Sequence, residues 1–160
     1  MIGPDELRIF GQLVLAAFLG LVIGVEREVT QKAAGMRTHS LVSLGAALFT
    51  ILSIEGFRQF FDATSIDPTR VAAQVVLGVG FLGAGLIVLR EGRPRGLTTA
   101  AGIWVSAAIG MAIGVRFYSV AVFAALLTFV IVAVLRWLNI EKKLRLHNLP
   151  ENNENNEEKR

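Results

Sequence analysis

Three short charged segments contain side chains that could do chemistry. They are residues 26–28 (Glu-Arg-Glu), 35–39 (Gly-Met-Arg-Thr-His) and 90–96 (Arg-Glu-Gly-Arg-Pro-Arg-Gly). After the third segment we expect Thr98 or Thr99 to be the N-cap of a helix, so that free backbone N–H groups lie beside arginines. This arrangement suits an anion such as a phosphate or a lipid headgroup. The alternative is that the arginines only orient the chain in a membrane and the threonines only cap.

The first two segments flank one short loop and are expected to lie together. We expect Glu26 to pair with Arg37 across this loop, with Arg27 beside them. His39 is expected at a membrane interface, and a role as a metal ligand is the alternative. His39 and His147 are too few and too far apart in sequence to predict a metal site.

A third polar group begins a later helix. Asp67 followed by proline is a usual helix start. Asp67, Arg70 and Gln74 are spaced i, i+3 and i+7, so they share one helix face that continues into an apolar run. Polar groups at that depth usually face the interior of a bundle. Helix-to-helix packing and a functional role are both open for this face.

Several kinds of site are excluded or disfavoured. The chain has no cysteine, which excludes disulfides, zinc–thiolate sites, thiol catalysis and iron–sulfur clusters. No carboxylate lies inside an apolar run, which disfavours a transporter with an acidic ion site in the membrane, although a path lined by carbonyls and hydroxyls stays open. No metal and no cofactor are expected. No Ser/His/Asp grouping or nucleotide-binding loop is present, and we predict no enzyme activity. The basic pI of about 9.8 is assigned to anionic lipid and not to nucleic acid.

The elements that must position these groups are long apolar runs. Five runs, 9–25, 41–54, 71–89, 97–115 and 117–135, contain 88 residues and none of the 29 charged residues. Each can form a membrane-spanning helix of about 20 residues, if the second extends over 40–61. The sequence therefore predicts an all-α, polytopic protein with a bundle of five transmembrane helices.

The basic residues predict the orientation of the bundle. Four Lys or Arg residues fall on the side of the N-terminus and twelve on the other side. Because cytoplasmic loops are enriched in Lys and Arg, the N-terminus is expected outside and the C-terminus in the cytoplasm. Residues 1–138 form the predicted membrane domain. Residues 139–160 form a tail that is first basic and then disordered.

Small residues four apart are the expected packing device, because they let helix backbones approach closely in lipid. The fifth run lacks such a ladder and is expected on the lipid-facing periphery. An alternative for the glycine-rich runs is a flexible helix or a glycine-lined path. The predicted packing residues are Gly20, Gly24, Gly80, Gly83, Gly85, Gly102, Ser106 and Gly110.

Four segments together resemble the membrane domain of the MgtC/SapB family. They are 20–28, 35–45, 67–85 and 96–110, and the likeness extends from about residue 7 to 138. Through this resemblance the motif residues of the family correspond to Glu26, Arg27, Arg37, Thr38, Asp67, Arg70, Gln74, Thr98, Thr99 and Trp104. Many members carry a C-terminal ACT-like domain. Here only 22 residues follow the fifth helix, so we expect the membrane domain alone.

The resemblance implies a multi-pass protein of the bacterial inner membrane. It implies adaptation to low magnesium and, in pathogens, intracellular survival. The implied role is regulatory and non-enzymatic, through other integral membrane proteins, with self-association left open. The alternative is a small transporter or channel for Mg²⁺ or another ion.

Overall fold

The chain folds as a helical bundle with one small β hairpin. A computed structural model describes residues 3–56, 67, 69–90 and 92–137. Residues 135–137 are described by their backbone only. Within this part, five α-helices follow one another: α1 (Pro4–Val29), α2 (Met36–Ile51), α3 (Thr69–Gly85), α4 (Leu97–Gly114) and α5 (Tyr118–Trp137). A π-helical turn, Leu52–Gly56, continues α2. Strands β1 (Val88–Arg90) and β2 (Arg93–Arg95) connect α3 to α4.

The lengths and composition of the helices fit a membrane protein. Pro4–Val29, Met36–Gly56 and Leu97–Gly114 are each long and apolar enough to cross a membrane, and Thr69–Gly85 and Tyr118–Val134 are shorter apolar helices. The all-α, polytopic fold predicted from the charge-free runs is thus confirmed. The orientation of the bundle stays a prediction. The predicted tail (139–160) and the expected end of the second run (57–61) lie outside the described residues.

Helices α1, α2 and α4 form the centre of the bundle. The isoleucines Ile23, Ile103, Ile109 and Ile113 are almost completely buried there. Helices α2 and α4 run parallel. Gly102, near the start of α4, lies at His39, near the start of α2. Gly114, the last residue of α4, lies at Thr50, near the end of α2. Helix α3 packs on α4 and α2, while α5 packs on α4 and α1. The loop 30–35 and the β1–β2 hairpin lie at one end of the bundle, which we call the hairpin end.

Helix α5 is peripheral, but it is not without small packing residues. Ala121 and Ala125 are completely buried and belong to the same apolar cluster as Ile109 and Ile113. They are four residues apart, so they form a small-residue pair that the sequence analysis overlooked. The large side chains of α5, such as Phe123, are exposed on the opposite side.

The start of α4 differs from the prediction. Its N-cap is Gly96, with φ of 91°, and neither Thr98 nor Thr99 caps the helix. The chain must turn sharply from β2 into α4, which requires a left-handed residue, and glycine adopts this conformation without steric cost. A Cβ atom at Gly96 would also overlap the carbonyl group of Leu86 at the end of α3. The two ends of the hairpin are therefore close together at its base.

Candidate functional site

A buried polar cluster lies where α1, α2 and α4 meet near the hairpin end. We call it the His39 cluster and define it by Glu26, Arg27, His39, Ser43 and Ser106. Arg27, His39, Ser43 and Ser106 are all buried, and His39 is completely so. His39 is therefore enclosed by the helices, and its position at the depth of a membrane interface stays a prediction. Position 39 lies on the face of α2 that packs against both neighbouring helices, which removes the imidazole from the surface.

Close packing of glycines brings the three helices together around this cluster. A Cβ atom at Gly20 would overlap the backbone of His39, and one at Gly24 would lie 2.5 Å from Cα of Met36. On the other side of α2, a Cβ atom at Gly102 would lie 3.1 Å from Cε1 of His39. Only glycine leaves room for such contacts, so these positions determine how near α1 and α4 come to α2.

His39 links α2 to α4 by a hydrogen bond. Its Nδ1 lies 2.8 Å from Oγ of Ser106, and the hydroxyl donates or accepts according to the tautomer. In the described part of the chain, the buried Nε2 of His39 and Oγ of Ser43 have no hydrogen-bond partner. Buried polar atoms are usually satisfied, so these two atoms are available to a water molecule or a small polar solute.

Glu26 and Arg27 form the charged part of the cluster. Arg27 Nε donates to Glu26 Oε2 over 2.6 Å, and both side chains are less than a tenth exposed. Burying either charge without its partner would be costly, so the two charges stabilise each other. The predicted pair of Glu26 with Arg37 stays a prediction. The neighbouring Arg27 turns into the bundle and contacts this carboxylate, whereas Arg37 is exposed.

Arg37 and Thr38 line a surface pocket of about 430 Å³ at the hairpin end. Glu28, Gln31 and Lys32 complete most of its wall. The Glu28 carboxylate accepts a hydrogen bond of 3.1 Å from the Met36 backbone N–H, which satisfies one donor in the first turn of α2. Arg37 and Thr38 are thus placed beside the His39 cluster but do not belong to it.

The face formed by Asp67, Arg70 and Gln74 is exposed, so its predicted position inside the bundle is wrong. The opposite face of α3, which carries Val79 and Gly83, packs on α4 instead. The Asp67 carboxylate accepts hydrogen bonds from the Thr69 backbone N–H (2.9 Å) and hydroxyl (2.7 Å). These bonds hold the pKa of Asp67 below its usual value, because they favour the charged form.

The remaining motif positions on α4 are separated from each other. Thr99 is buried at the start of the helix, whereas Thr98 is exposed and Trp104 is about half exposed (51%). The structure therefore does not bring these three residues together. Trp104 lies on the side of α4 that faces away from the His39 cluster.

The predicted packing residues fall into two groups. Those on α1 and α4 make close contacts, and Gly110 lies so near to α2 that a Cβ atom would overlap the backbone of Ser43. Gly83 makes ordinary contact with Ala100. A Cβ atom at Gly80 or Gly85 would meet no atom within 4 Å in the described part of the chain, so their predicted role in packing within the bundle is wrong. They lie on faces of α3 that α4 does not cover.

Two polar connections at the opposite end of the bundle were missed. The Gln12 side chain is buried and donates to the carbonyls of Ile113 (2.7 Å) and Gly114 (3.5 Å) at the end of α4. Glu55 accepts hydrogen bonds from Arg8 (3.1 Å) and Arg116. The sequence signal for the first was an amide inside a charge-free run. The contacts of Glu55 had no signal in the local sequence, because Arg8 and Arg116 are 47 and 61 positions away from it in the chain.

Comparisons with known proteins agree with the helical membrane fold. The chain is 47% identical over 129 residues to "Putative magnesium transporter YhiD" of Escherichia coli K12, covering 79% of this chain and 60% of the relative. It is 42% identical over 140 residues to protein MgtC of Salmonella typhimurium, covering 86% and 55%. Protein SapB of Bacillus subtilis is 37% identical over 140 residues, covering 86% and 59%. No solved structure matches the chain.

The chain spans between half and two thirds of the length of these relatives. The sequence profile of the MgtC family matches residues 13–140, which is most of the chain. The chain therefore belongs to the MgtC family.

Proposed function

We propose that this chain is a non-enzymatic regulator of the bacterial inner membrane. It acts on other integral membrane proteins during adaptation to low magnesium. Family membership supports a magnesium-related membrane function. Two observations favour a regulatory role over ion transport. Carboxylates in the bundle contact arginines, and one face of α3 is exposed.

The observation that carries the proposal is the pairing of carboxylates with arginines. Glu26 contacts Arg27 in the interior, and Glu55 contacts Arg8 and Arg116. A Mg²⁺ site uses carboxylate oxygens and retained waters, and a guanidinium in contact with the same oxygens opposes a divalent cation. Within the described residues, no group of three His, Cys, Asp or Glu side chains is placed to hold a metal ion. The contacts with arginine therefore favour a structural role for the carboxylates of Glu26 and Glu55 over a role as metal ligands.

The exposed face of α3 supports an interaction with another membrane protein. Gln74 lies on this face beside Leu77 and Phe81, of which Phe81 is 82% exposed. An amide gains hydrogen bonds from a neighbouring helix and none from lipid tails. Gly78 and Gly85 leave open space on the same helix, where a partner helix can approach closely. We therefore assign this face to contact with a helix of a partner protein.

The first experiment measures ion flux. The purified chain is reconstituted in proteoliposomes loaded with a Mg²⁺-sensitive dye, and empty liposomes serve as the control. Under the proposal, the chain does not raise Mg²⁺ entry above that of empty liposomes. A flux that depends on the amount of protein would overturn the regulatory role.

The second experiment tests the α3 face in cells. We expect Gln74→Leu to accumulate and fold normally but to lose complementation of growth in low magnesium. Thr128→Val is the matched control, because the Thr128 hydroxyl already bonds to the Ala124 carbonyl of its own helix at 2.7 Å. Growth of both variants at the wild-type rate, at matched protein levels, would show that this face is not used.

Ion transport is the second candidate function. The name of the YhiD relative supports it. So do His39 Nε2 and Ser43 Oγ, which are buried in the bundle and have no hydrogen-bond partner among the described residues. Under this candidate, His39→Phe abolishes a flux that the wild-type chain shows in the same liposomes. The flux measurement thus separates the two functions.

A further inference from the structure

The β1–β2 hairpin, which connects α3 to α4, has an arginine-rich face and an apolar face. In the β1–β2 hairpin, Val88 pairs with Arg95, Leu89 with Pro94 and Arg90 with Arg93. Paired residues of an antiparallel ladder lie on the same face, and successive residues alternate between faces. Arg90, Arg93 and Arg95 therefore share one face with Val88, and Leu89 and Pro94 occupy the other.

These three arginines are not neutralised within the described part of the chain. All three are exposed, and none of them forms an ion pair or a side-chain hydrogen bond there. Arg90 and Arg93 are directly opposite each other, and like charges in that position destabilise a hairpin. A hairpin of three-residue strands has few other interactions to offset this repulsion. An anion between the two guanidiniums removes it.

The hairpin is expected close to the membrane surface, because short connections join both of its ends to apolar helices. Strand β1 begins three residues after the end of α3, and α4 begins two residues after the end of β2. A three-residue strand extends about 10 Å, and the headgroup layer extends about 5–8 Å beyond the hydrocarbon core. The contact of Gly96 with the Leu86 carbonyl holds the base of the hairpin. The guanidiniums are thus kept near the depth of the lipid phosphates.

We propose that the arginine face of the β1–β2 hairpin binds the phosphate groups of anionic phospholipids. Guanidinium groups bind phosphate oxygens through two parallel N–H···O bonds, and the headgroup layer supplies phosphates at the right depth. The opposite face carries Leu89, which is 79% exposed and adjoins the exposed Ile87. This apolar face lies against the acyl boundary while the arginines contact the headgroups. The binding is independent of the proposed regulatory function.

The test measures lipid binding to the full chain in detergent by native mass spectrometry. Phosphatidylglycerol is titrated against the wild-type chain and against the triple variant R90Q/R93Q/R95Q, and phosphatidylcholine is the zwitterionic comparison. Each basic side chain near an anionic surface contributes about a fivefold change in affinity. We expect the triple variant to lose about two orders of magnitude in apparent affinity for phosphatidylglycerol. We expect phosphatidylcholine to bind weakly to both chains.

Two further variants keep the test decisive. R90K/R93K/R95K preserves the charge and the orientation signal but not the bidentate geometry, and we expect it to fall between the wild-type chain and the glutamine variant. R70Q removes one exposed arginine at the opposite end of α3 and is expected to bind as the wild type does. Circular dichroism establishes that each variant is folded before titration.

Three results would overturn the proposal. The first is equal affinity of the wild-type chain for phosphatidylglycerol and phosphatidylcholine. The second is an unchanged affinity in the folded glutamine variant, which would leave the arginines as orientation signals only. The third is complete displacement of the lipid by millimolar inorganic phosphate, which would identify a site for free phosphate instead of a lipid contact.

Discussion

Replacing Gly110 by alanine adds one methyl group where α4 passes close to α2. A Cβ atom at this position would overlap the Ser43 carbonyl group, and the Ser43 Cα atom would be only 3.0 Å away. Both atoms belong to the backbone, so no side chain can move to relieve the overlap. Overpacking of this kind costs about 1–3 kcal/mol. The change also favours helix formation by about 0.5–1 kcal/mol, which partly hides the cost.

Gly45→Ala is a matched control, because it makes the same chemical change inside α2. A Cβ atom at Gly45 would meet nothing within 4 Å. The gain in helix propensity is common to both variants and cancels in their difference. We therefore expect the free energy of unfolding of Gly110→Ala to lie about 1–3 kcal/mol below that of Gly45→Ala. Ala124→Leu on α5 is a poorer control, since Ala124 packs in part against the core.

The assay is reversible unfolding in mixed micelles of increasing sodium dodecyl sulfate content, followed by circular dichroism. Steric trapping in bicelles gives an independent value for the same two variants. We expect Gly110→Leu to be too unstable to accumulate, because it adds three more carbon atoms at the same place. Equal unfolding free energies for Gly110→Ala and Gly45→Ala, within about 0.5 kcal/mol, would refute the assigned contact between α2 and α4.

Three further predictions concern the two ends of the bundle. Gln12→Leu removes the donor to the carbonyls at the end of α4, and we expect the free energy of unfolding in micelles to fall by about 1–2 kcal/mol; an unchanged value would contradict the importance of this bond. Asp67→Asn keeps an acceptor for the Thr69 N–H but removes the charge that these hydrogen bonds favour, so we expect a small loss of thermal stability at neutral pH that disappears in acid, where Asp67 is protonated; an equal loss at both pH values would contradict the role of the charge. Single cysteines at Gly3 and Gly92 should react with a membrane-impermeant maleimide from opposite sides in intact cells, with Gly3 accessible from outside; labelling from one side would refute the predicted orientation.

Some features of the site could be predicted because they depend on local spacing. The stripe Gly102, Ser106 and Gly110 is four-residue spaced, and the structure buries all three residues against α2. Arg27 was singled out as part of a charged segment at the end of a helix, and it does contact Glu26. The helical period alone places the three residues of the stripe on one face, whereas Glu26 and Arg27 are simply neighbours in the sequence.

Other features depend on contacts between residues far apart in the chain. His39 and Ser106 are 67 positions apart, and Gln12 and Ile113 are 101 positions apart. No local pattern indicates which histidine or amide will be enclosed by other helices. The β1–β2 hairpin was also not predicted, because its strands have three residues each and carry arginines and a proline in place of β-forming residues.

The sequence by itself determined that the chain is a polytopic helical membrane protein, because charges are excluded from long runs that must lie in hydrocarbon. It did not determine which face of each helix points inward. In water, burial of apolar side chains would identify that face, but lipid tails are as apolar as the interior of a bundle. The face of α3 with Gln74 therefore looked like an inward face and is exposed, while the alanines of α5 looked unimportant and are buried. The inward face of each helix is the one whose small residues fit against a neighbouring backbone. Only the tertiary structure shows this fit.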